Sequence, residues 1–347
     1  MITENITKHE LIKQYRDNPA ISQSFLKKVL INNTQETKIN SVAKLLGGLV
    51  DTILTANECL EDLYLVSNIQ SYPKPQVKEV WDTYYKTLVD NNLPIEIDNT
   101  HLIEIYKSIS SIKSNEEKML SNLMEGEEYW NNLSSGKIVV SQEYWNKCNL
   151  VASSLKYNSI TKDYFQEDLF KEIRFQEPLF WTYTDVEGNW QQECKGLLDI
   201  LIINHHNKTM QIIDIKTTGD SLNSWVKNIA RKYRYDFQLS FYNYGLGILY
   251  PEYIILNPII IVENVDYPGK PRVFDFTSTD LIHGRHGCVK RKATIITEEV
   301  DVAYEEEVIH GWETAIERYI QAKQLGLPDY DIAYARNHGR ENLNLWT

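Results

Sequence analysis

Lys195–Thr218, "KGLLDILIINHHNKTMQIIDIKTT", is the stretch whose reading decides the fold. Two apolar runs flank a polar "HHNK" turn, the pattern of two adjacent buried strands. Asp199, Asp214 and Lys216 interrupt those runs, and charge in a central strand is costly unless something compensates it. Directly opposed residues in an antiparallel hairpin have a constant index sum. With His206 and Asn207 as a two-residue turn, Asp199 lies opposite Asp214 and Leu197 opposite Lys216. Opposed residues share a face, as do residues two apart on one strand, so all three charges project from one patch. Like charges directly opposite destabilise a sheet. A divalent cation reverses that penalty, because magnesium or manganese takes both carboxylates as hard oxygen ligands. The alternative is a partly buried Asp–Lys ion pair.

Composition sets the outer bounds. The chain has 347 residues, 42% hydrophobic and 24% charged, ordinary globular material able to bury a sizeable core. A net charge of -12 argues against a surface broadly coated for a polyanion. It leaves room for nucleic acid, since a nuclease gathers acidic metal ligands and needs only a local basic track. Cys59, Cys148, Cys194 and Cys288 form no CxxC pair, which suits reduced thiols in a cytoplasm better than disulfides or a zinc site. The polar opening "MITENITKHE" is no signal peptide, and no apolar run approaches a membrane span. The expectation is a soluble cytoplasmic protein with no membrane partner.

Along the chain, residues 20–70 carry apolar residues at helical spacing, until the prolines of "SYPKPQ" (71–76) break the pattern. Residues 77–135 are polar, charged and helical in pattern, and read as an insertion. Two further helices are expected across 141–170. From 171 the period changes to two, giving strands through the opening hairpin. A long helix is expected from Ser221 to Gly245, with the glycine as its stop. "YIILNPIIIVENV" predicts another strand and "EEEVIHGWETAIERYIQAKQLG" a late helix. Strands cluster centrally among helices, so the class is α/β with a small mixed sheet. The expected divisions are an N-terminal helical part (1–71), a helical insertion (72–142) and a core (143–347).

Two more features bear on chemistry. In "KEIRFQEPLFWTY", Glu177 sits at period two with Ile173, Phe175, Leu179, Trp181 and Tyr183, where the pattern calls for a hydrophobe. Either a third carboxylate points inward, or an irregularity near Pro178 turns it to solvent. On the following helix, Arg234, Gln238 and Tyr242 fall at four-residue spacing on one stripe. Packed on the sheet, that stripe brings Gln238 near Lys216 and leaves the arginine for a phosphate.

These residues carry a resemblance. Gly196-x-x-Asp199, fourteen residues, then Asp214-Ile215-Lys216 and Gln238-x-x-x-Tyr242 resemble the PD-(D/E)XK nuclease superfamily in its RecB-like branch. Within it the chain is most similar to the phage exonuclease VIII (RecE-like) group. "ISQSFLKKVL", "GGLVDTILTANECLEDLYLV", "FQEPLFW" and "FDFTSTDLIHGRHG" are similar to that group's opening helix, glycine-led helix, glutamate-bearing strand and later strand–helix segment. The resemblance covers most of the chain outside 72–142 and implies a restriction-endonuclease-like core.

What the resemblance implies can be taken residue by residue. Asp199, Asp214 and the carbonyl of Ile215 would bind Mg2+, or Mn2+ in its place. Lys216 would be the catalytic lysine, Gln238 and Tyr242 would organise the site, and Glu177 would support a second metal or its waters. Many relatives present a histidine as Gly-x-x-His on the glycine-led helix. Here Asp51 follows Gly48 at that place, an oxygen ligand or a plain helix residue. Leu198 replaces the proline of the superfamily name. The densest basic stretches are "KNIARKYRY" (227–235) and "RHGCVKRK" (285–292). Arg231, Lys232, Arg234, Arg285, Lys290, Arg291 and Lys292 are the DNA-binding candidates, for a backbone or a terminal phosphate. The implied protein is an Mg2+-dependent exonuclease of phage or prophage origin, resecting double-stranded DNA ends in a bacterial cytoplasm. A single-strand annealing protein and a homo-oligomeric ring are the implied partners. An endonuclease of the CRISPR-adaptation or repair kind, or a catalytically silent DNA-binding assembly protein, are the competing readings.

Overall fold

The computed structural model describes residues 7–30, 41–67, 73–110, 115–188, 190–295 and 302–326. The chain opens with α1 (Lys8–Asp17), β1 (Ile21–Ser22), α2 (Gln23–Leu30) and α3 (Ser41–Thr55). Next come α4 (Leu60–Leu63), β2 (Tyr64–Ser67), α5 (Pro75–Asp90), α6 (Asn99–Ile109), α7 (Glu116–Met124), α8 (Glu127–Ser134), β3 (Ile138–Ser141) and α9 (Gln142–Tyr157). The strands β4 (Lys171–Thr184), β5 (Gln191–Asn204) and β6 (Thr209–Thr218) lead to α10 (Arg231–Tyr233) and α11 (Tyr235–Leu249). Then follow β7 (Ile254–Ile255), β8 (Ile259–Asn264), β9 (Arg272–Asp275), α12 (Ser278–His286), β10 (Gly287–Ile295), β11 (Val302–His310) and α13 (Trp312–Gln324). By packing, the chain divides into two units, Met1–Ala56 with Leu150–Thr347, and Asn57–Asn149.

The first unit is α/β, built on a mixed sheet with helices around it. β4, β5 and β6 run antiparallel in turn, β8 lies parallel to β6, and β9 closes antiparallel on β8. A parallel neighbour needs a crossover, and α11 lies in the one between β6 and β8. β8 is buried along its whole length, which is why it reads as the unbroken apolar run "IIIV".

The register of β5 on β6, from Ile200↔Ile213 to Asn204↔Thr209, has the index sum read from the sequence. The turn itself is wider, spanning 205–208, with Lys208 left-handed at φ 52°. One edge of β5 belongs to β4, with an interruption at Asp199 where Gln176 leaves the ladder. On its other edge β6 pairs only up to Ile200, and β1 takes over at Cys194 and Lys195. Residues 196–199 of β5 therefore have no ladder partner on that edge, and Asp199 sits in the gap.

Three sequence expectations change. The helix expected over Ser221–Gly245 is a π-helical turn (Val226–Ala230), then α10, a break at Arg234 (φ 53°, ψ 57°), and α11. Gly245 does not stop α11 but lets it pack down: a Cβ there would lie 2.7 Å from the Trp181 ring. "EEEVIH" is strand, since it pairs with β10, and α13 begins only at Trp312. Residues 141–170 hold one α-helix, α9, and a 3-10 turn at Lys162–Tyr164.

The second unit has its own core. Val80, Trp81, Tyr84, Leu102, Leu123 and Trp130 are buried together, with the Trp81 and Trp130 rings 5.0 Å apart. Pro75 begins α5 at a position where no amide hydrogen is needed. Its limits lie outside the 72–142 expected for the insertion, because β2 pairs in parallel with β3 and draws in the residues before 72. Ser71 and Tyr72 fall outside the described residues. Among those described, no helix is long and apolar enough to cross a membrane.

Candidate active site

Where β5 and β6 part, the Asp199 side chain takes over the role of the missing ladder bond: the Ile215 amide donates to its Oδ2 at 2.8 Å. Asp214, 3% exposed, accepts from Gln238 Nε2 on α11 through Oδ1 at 3.0 Å. Its Oδ2 is buried without a hydrogen bond of normal geometry, and faces the Lys216 ammonium at 2.5 Å. The same ammonium donates to the Ile215 carbonyl at 3.2 Å. A cation therefore already sits between two of the atoms expected to bind metal.

Asp51 comes from α3. Both its oxygens accept from Gln176 Nε2, at 3.2 and 3.0 Å, and Oδ1 also accepts from the Thr55 hydroxyl at 3.2 Å. The electrostatics record the crowding. Burial, then Asp51 and Asp214, raise the Asp199 carboxyl well above the usual range. Burial pushes Asp51 up to about 6, against the pull of Lys216 and the Thr55 hydroxyl. Burial alone would lower Lys216, but Asp214 and Asp199 outweigh it and raise it above an ordinary lysine. Carboxylates that resist ionisation around one ammonium make a site short of positive charge.

Tyr242 is buried against β5, and Gly196 is what admits it. A Cβ at residue 196 would lie 2.8 Å from the Tyr242 ring. Burial, with Tyr15, Asp214 and Asp199 nearby, holds its phenol well above its ordinary pKa.

Other expected residues stand elsewhere. Glu177 does not join the carboxylates, because Gln176 adopts φ 46° and breaks the strand's alternation. Gln176 is the residue turned towards Asp51, while Glu177 pairs with Arg174 at 3.2 Å. Arg234 is not on a helical stripe with Gln238. Its guanidinium grips Asp236 and donates to the His310 carbonyl at 3.1 Å, fixing the break before α11. Arg285 is tied to Glu313 at 2.7 Å and lies over the Tyr244 ring, so it packs rather than reaching outward. Arg291 pairs with Glu306 across β10 and β11. Lys232 lies over the Tyr233 ring, Arg231 and Lys290 are exposed, and the Lys292 side chain lies outside the described residues.

Sequence reasoning passed over Gln176, Thr55, Tyr235 and Lys27. Lys216 Nζ lies 5.3 Å from the Tyr235 ring centre. Lys27, on α2, donates to the Tyr233 carbonyl at 2.7 Å, and burial and then Lys216 lower it to about 7. Thr55 is signalled by its place four residues after Asp51 on a helix, whereas the backbone inversion at Gln176 leaves no sequence signal.

Among the described residues, no three His, Cys, Asp or Glu side chains already form a finished metal-binding group. The donors nonetheless suit one. Asp214 Oδ2 and the Ile215 carbonyl are hard oxygens gathered on one cation, and Asp199 and Asp51 add charge that a divalent ion would relieve.

No protein-family model and no curated protein matches the chain. Among solved structures it is similar to the crystal structure of a "putative exonuclease" from Eubacterium rectale. Identity is 13%, 98% of this chain and 88% of that one are covered, and the TM-score is 0.38. At that TM-score the likeness carries no argument about activity, so function has to be read from the side chains.

Proposed function

We propose that this protein is a metal-dependent nuclease of the PD-(D/E)XK kind, hydrolysing phosphodiester bonds at double-stranded DNA ends in phage-type recombination. The observation that carries this reading is the buried Asp214 Oδ2, held among the described residues by the Lys216 ammonium alone. It lies where the strands part, and the Lys216 ammonium bridges it to the Ile215 carbonyl. Asp199, Asp214 and the Ile215 carbonyl would hold Mg2+ or Mn2+, with Asp51 beside them. When bound, such an ion supplies Lewis-acid polarisation of the phosphate and a water made acidic enough to attack.

The chain's own residues do the rest. Gln238 holds Asp214 by Oδ1, so that Oδ2, now paired with the Lys216 ammonium, is the oxygen that would meet a metal. The Ile215 amide fixes the rotamer of Asp199 in the same way. Lys216 has donors only, so it cannot bind the ion. It would instead orient the attacking water or meet the charge developing on phosphate, an effect worth about 3 kcal/mol.

The test is incubation with linear and circular duplex DNA, with magnesium or with EDTA. Metal-dependent loss of the linear form alone is the expected result. Nicking of circles would make the protein an endonuclease, and binding without cleavage a silent assembly protein. Lys216→Ala is expected to lose at least 100-fold in cleavage, roughly the worth of one such contact, yet to bind metal normally by calorimetry. Asp214→Asn is expected to lose both. Near-normal digestion by Lys216→Ala would reduce the lysine to a counter-ion.

A further inference from the structure

Reached from the carboxylates through Tyr235, a cavity of about 590 Å³ opens between α10, α12 and the β10–β11 pair, within the size range of small-molecule sites. It gathers residues from both basic stretches of the sequence. Its inner wall is aromatic: the buried Trp225 is sandwiched between Tyr235 and Phe274, with ring centres 5.6 and 5.0 Å apart and planes 18° and 23° from parallel, so that the half-buried Tyr235 and Phe274 carry the ring surface left open. Phe276 adds a further half-buried ring. Arg231 and Lys290 line the cavity from its exposed side, and neither has an ion-pair partner among the described residues.

The acidic residues of the wall are mostly spoken for. Asp236 is bound by Arg234, and Asp280 accepts from the Thr277 amide and hydroxyl at the start of α12. Asp275 is the remaining carboxylate of the lining, and Glu307 lies opposite Lys290 in the β10–β11 ladder without closing an ion pair on it. Valines at the rim, Val226 and Val289, are 44% and 55% exposed, so the mouth is apolar as well as basic. Flat rings with cations at the entrance suit a nucleobase joined to phosphate, since bases stack on aromatic side chains while the backbone follows positive charge. Tyr235 ties the cavity to the chemistry, because the same ring lies beside Lys216.

We propose that this cavity receives one unpaired nucleotide of a DNA strand. Its base lies on the aromatic wall and its phosphates lie against Arg231 and Lys290. The proposal rests on the nuclease reading and sharpens it, naming a locally unpaired strand as what the site takes. A nuclease that admits an unpaired nucleotide beside its scissile bond must open the end of a duplex to use it.

The test uses the full chain in EDTA, so that nothing is cleaved, with a fluorescently labelled oligothymidylate and a blunt duplex of equal length read by anisotropy. Wild type should bind the single strand more tightly than the blunt duplex. Phe276→Ala should weaken single-strand binding about five- to tenfold, the scale of one lost stack, and Phe276→Tyr should restore it. Arg231→Ala should weaken it too and flatten the salt dependence by about 0.7 in the log–log slope, as one lost phosphate contact does on a single strand. Arg231 is exposed, so its variant keeps the test valid if Phe276→Ala does not fold. Unchanged single-strand affinity in Arg231→Ala and the folded Phe276 variants overturns the proposal, as does equal affinity for the blunt duplex. Metal-dependent cleavage by wild type separates the two ideas. Cleavage with unaffected variants removes the cavity's role alone, and binding lost in the variants without cleavage by wild type removes the nuclease reading alone.

Discussion

Lys27 is a lysine placed among charges that do not favour it. Burial, then Lys216 and Arg234, work against its charged form, while Asp236 and Asp214 favour it, and the balance lowers it from 10.5 to about 7. The sign of the consequence follows from proton counting. Between the folded and unfolded values the unfolded chain binds more protons, so stability rises with pH across that window. Lys27→Met removes this dependence. In EDTA its melting temperature should exceed that of wild type most at about pH 6, and the advantage should shrink as pH rises from roughly 7 towards 10. An advantage independent of pH would mean that Lys27 keeps an ordinary lysine pKa.

At the scale of elements, close approaches hold the site in shape. α11 reaches β5 because Gly196 leaves room for the Tyr242 ring and Gly245 for Trp181. Gly196→Ala should therefore destabilise by about 1–3 kcal/mol, the usual cost of overpacking, measured by urea unfolding. No loss would show that the Tyr242 ring can retreat. How much of this was legible varies with the element. The β5–β6 register was readable because side-chain alternation and a polar turn fix it together, though the ladder ends at Ile200↔Ile213, one step short of the expected Asp199–Asp214 pair. The break at Arg234 was not, since a guanidinium gripping Asp236 and the His310 carbonyl depends on a strand 76 residues away. Nor was the exchange of Glu177 for Gln176, which turns on a single positive φ. "EEEVIH" failed as helix for a related reason: its partner strand, β10, shows no apolar pattern of its own and is known only through pairing.

At the scale of the molecule, the metal and the second unit make separate claims on stability. A divalent ion relieves the crowding of Asp199, Asp214 and Asp51 only in the folded chain, so magnesium or manganese should raise the melting temperature over EDTA. Identical melts across a wide metal range would count against the site. The second unit contributes none of the residues gathered there. Among the described residues, Lys27, Asp51 and Thr55 lie before it and the others after it, and it holds a buried cluster of its own running from Val77 to Trp130. An excision should respect those limits. Removing 77–135 alone would leave β2 and β3 without the helices of their own unit, whereas replacing 57–141 with a flexible linker of about ten residues removes the pair together. The shortened chain should keep metal binding by calorimetry and its metal-dependent rise in melting temperature. Loss of both in a variant that still shows the circular dichroism of a folded α/β protein would place part of the metal site's support in residues 57–141. Retention of binding with loss of cleavage on long duplexes would instead assign that unit to holding DNA.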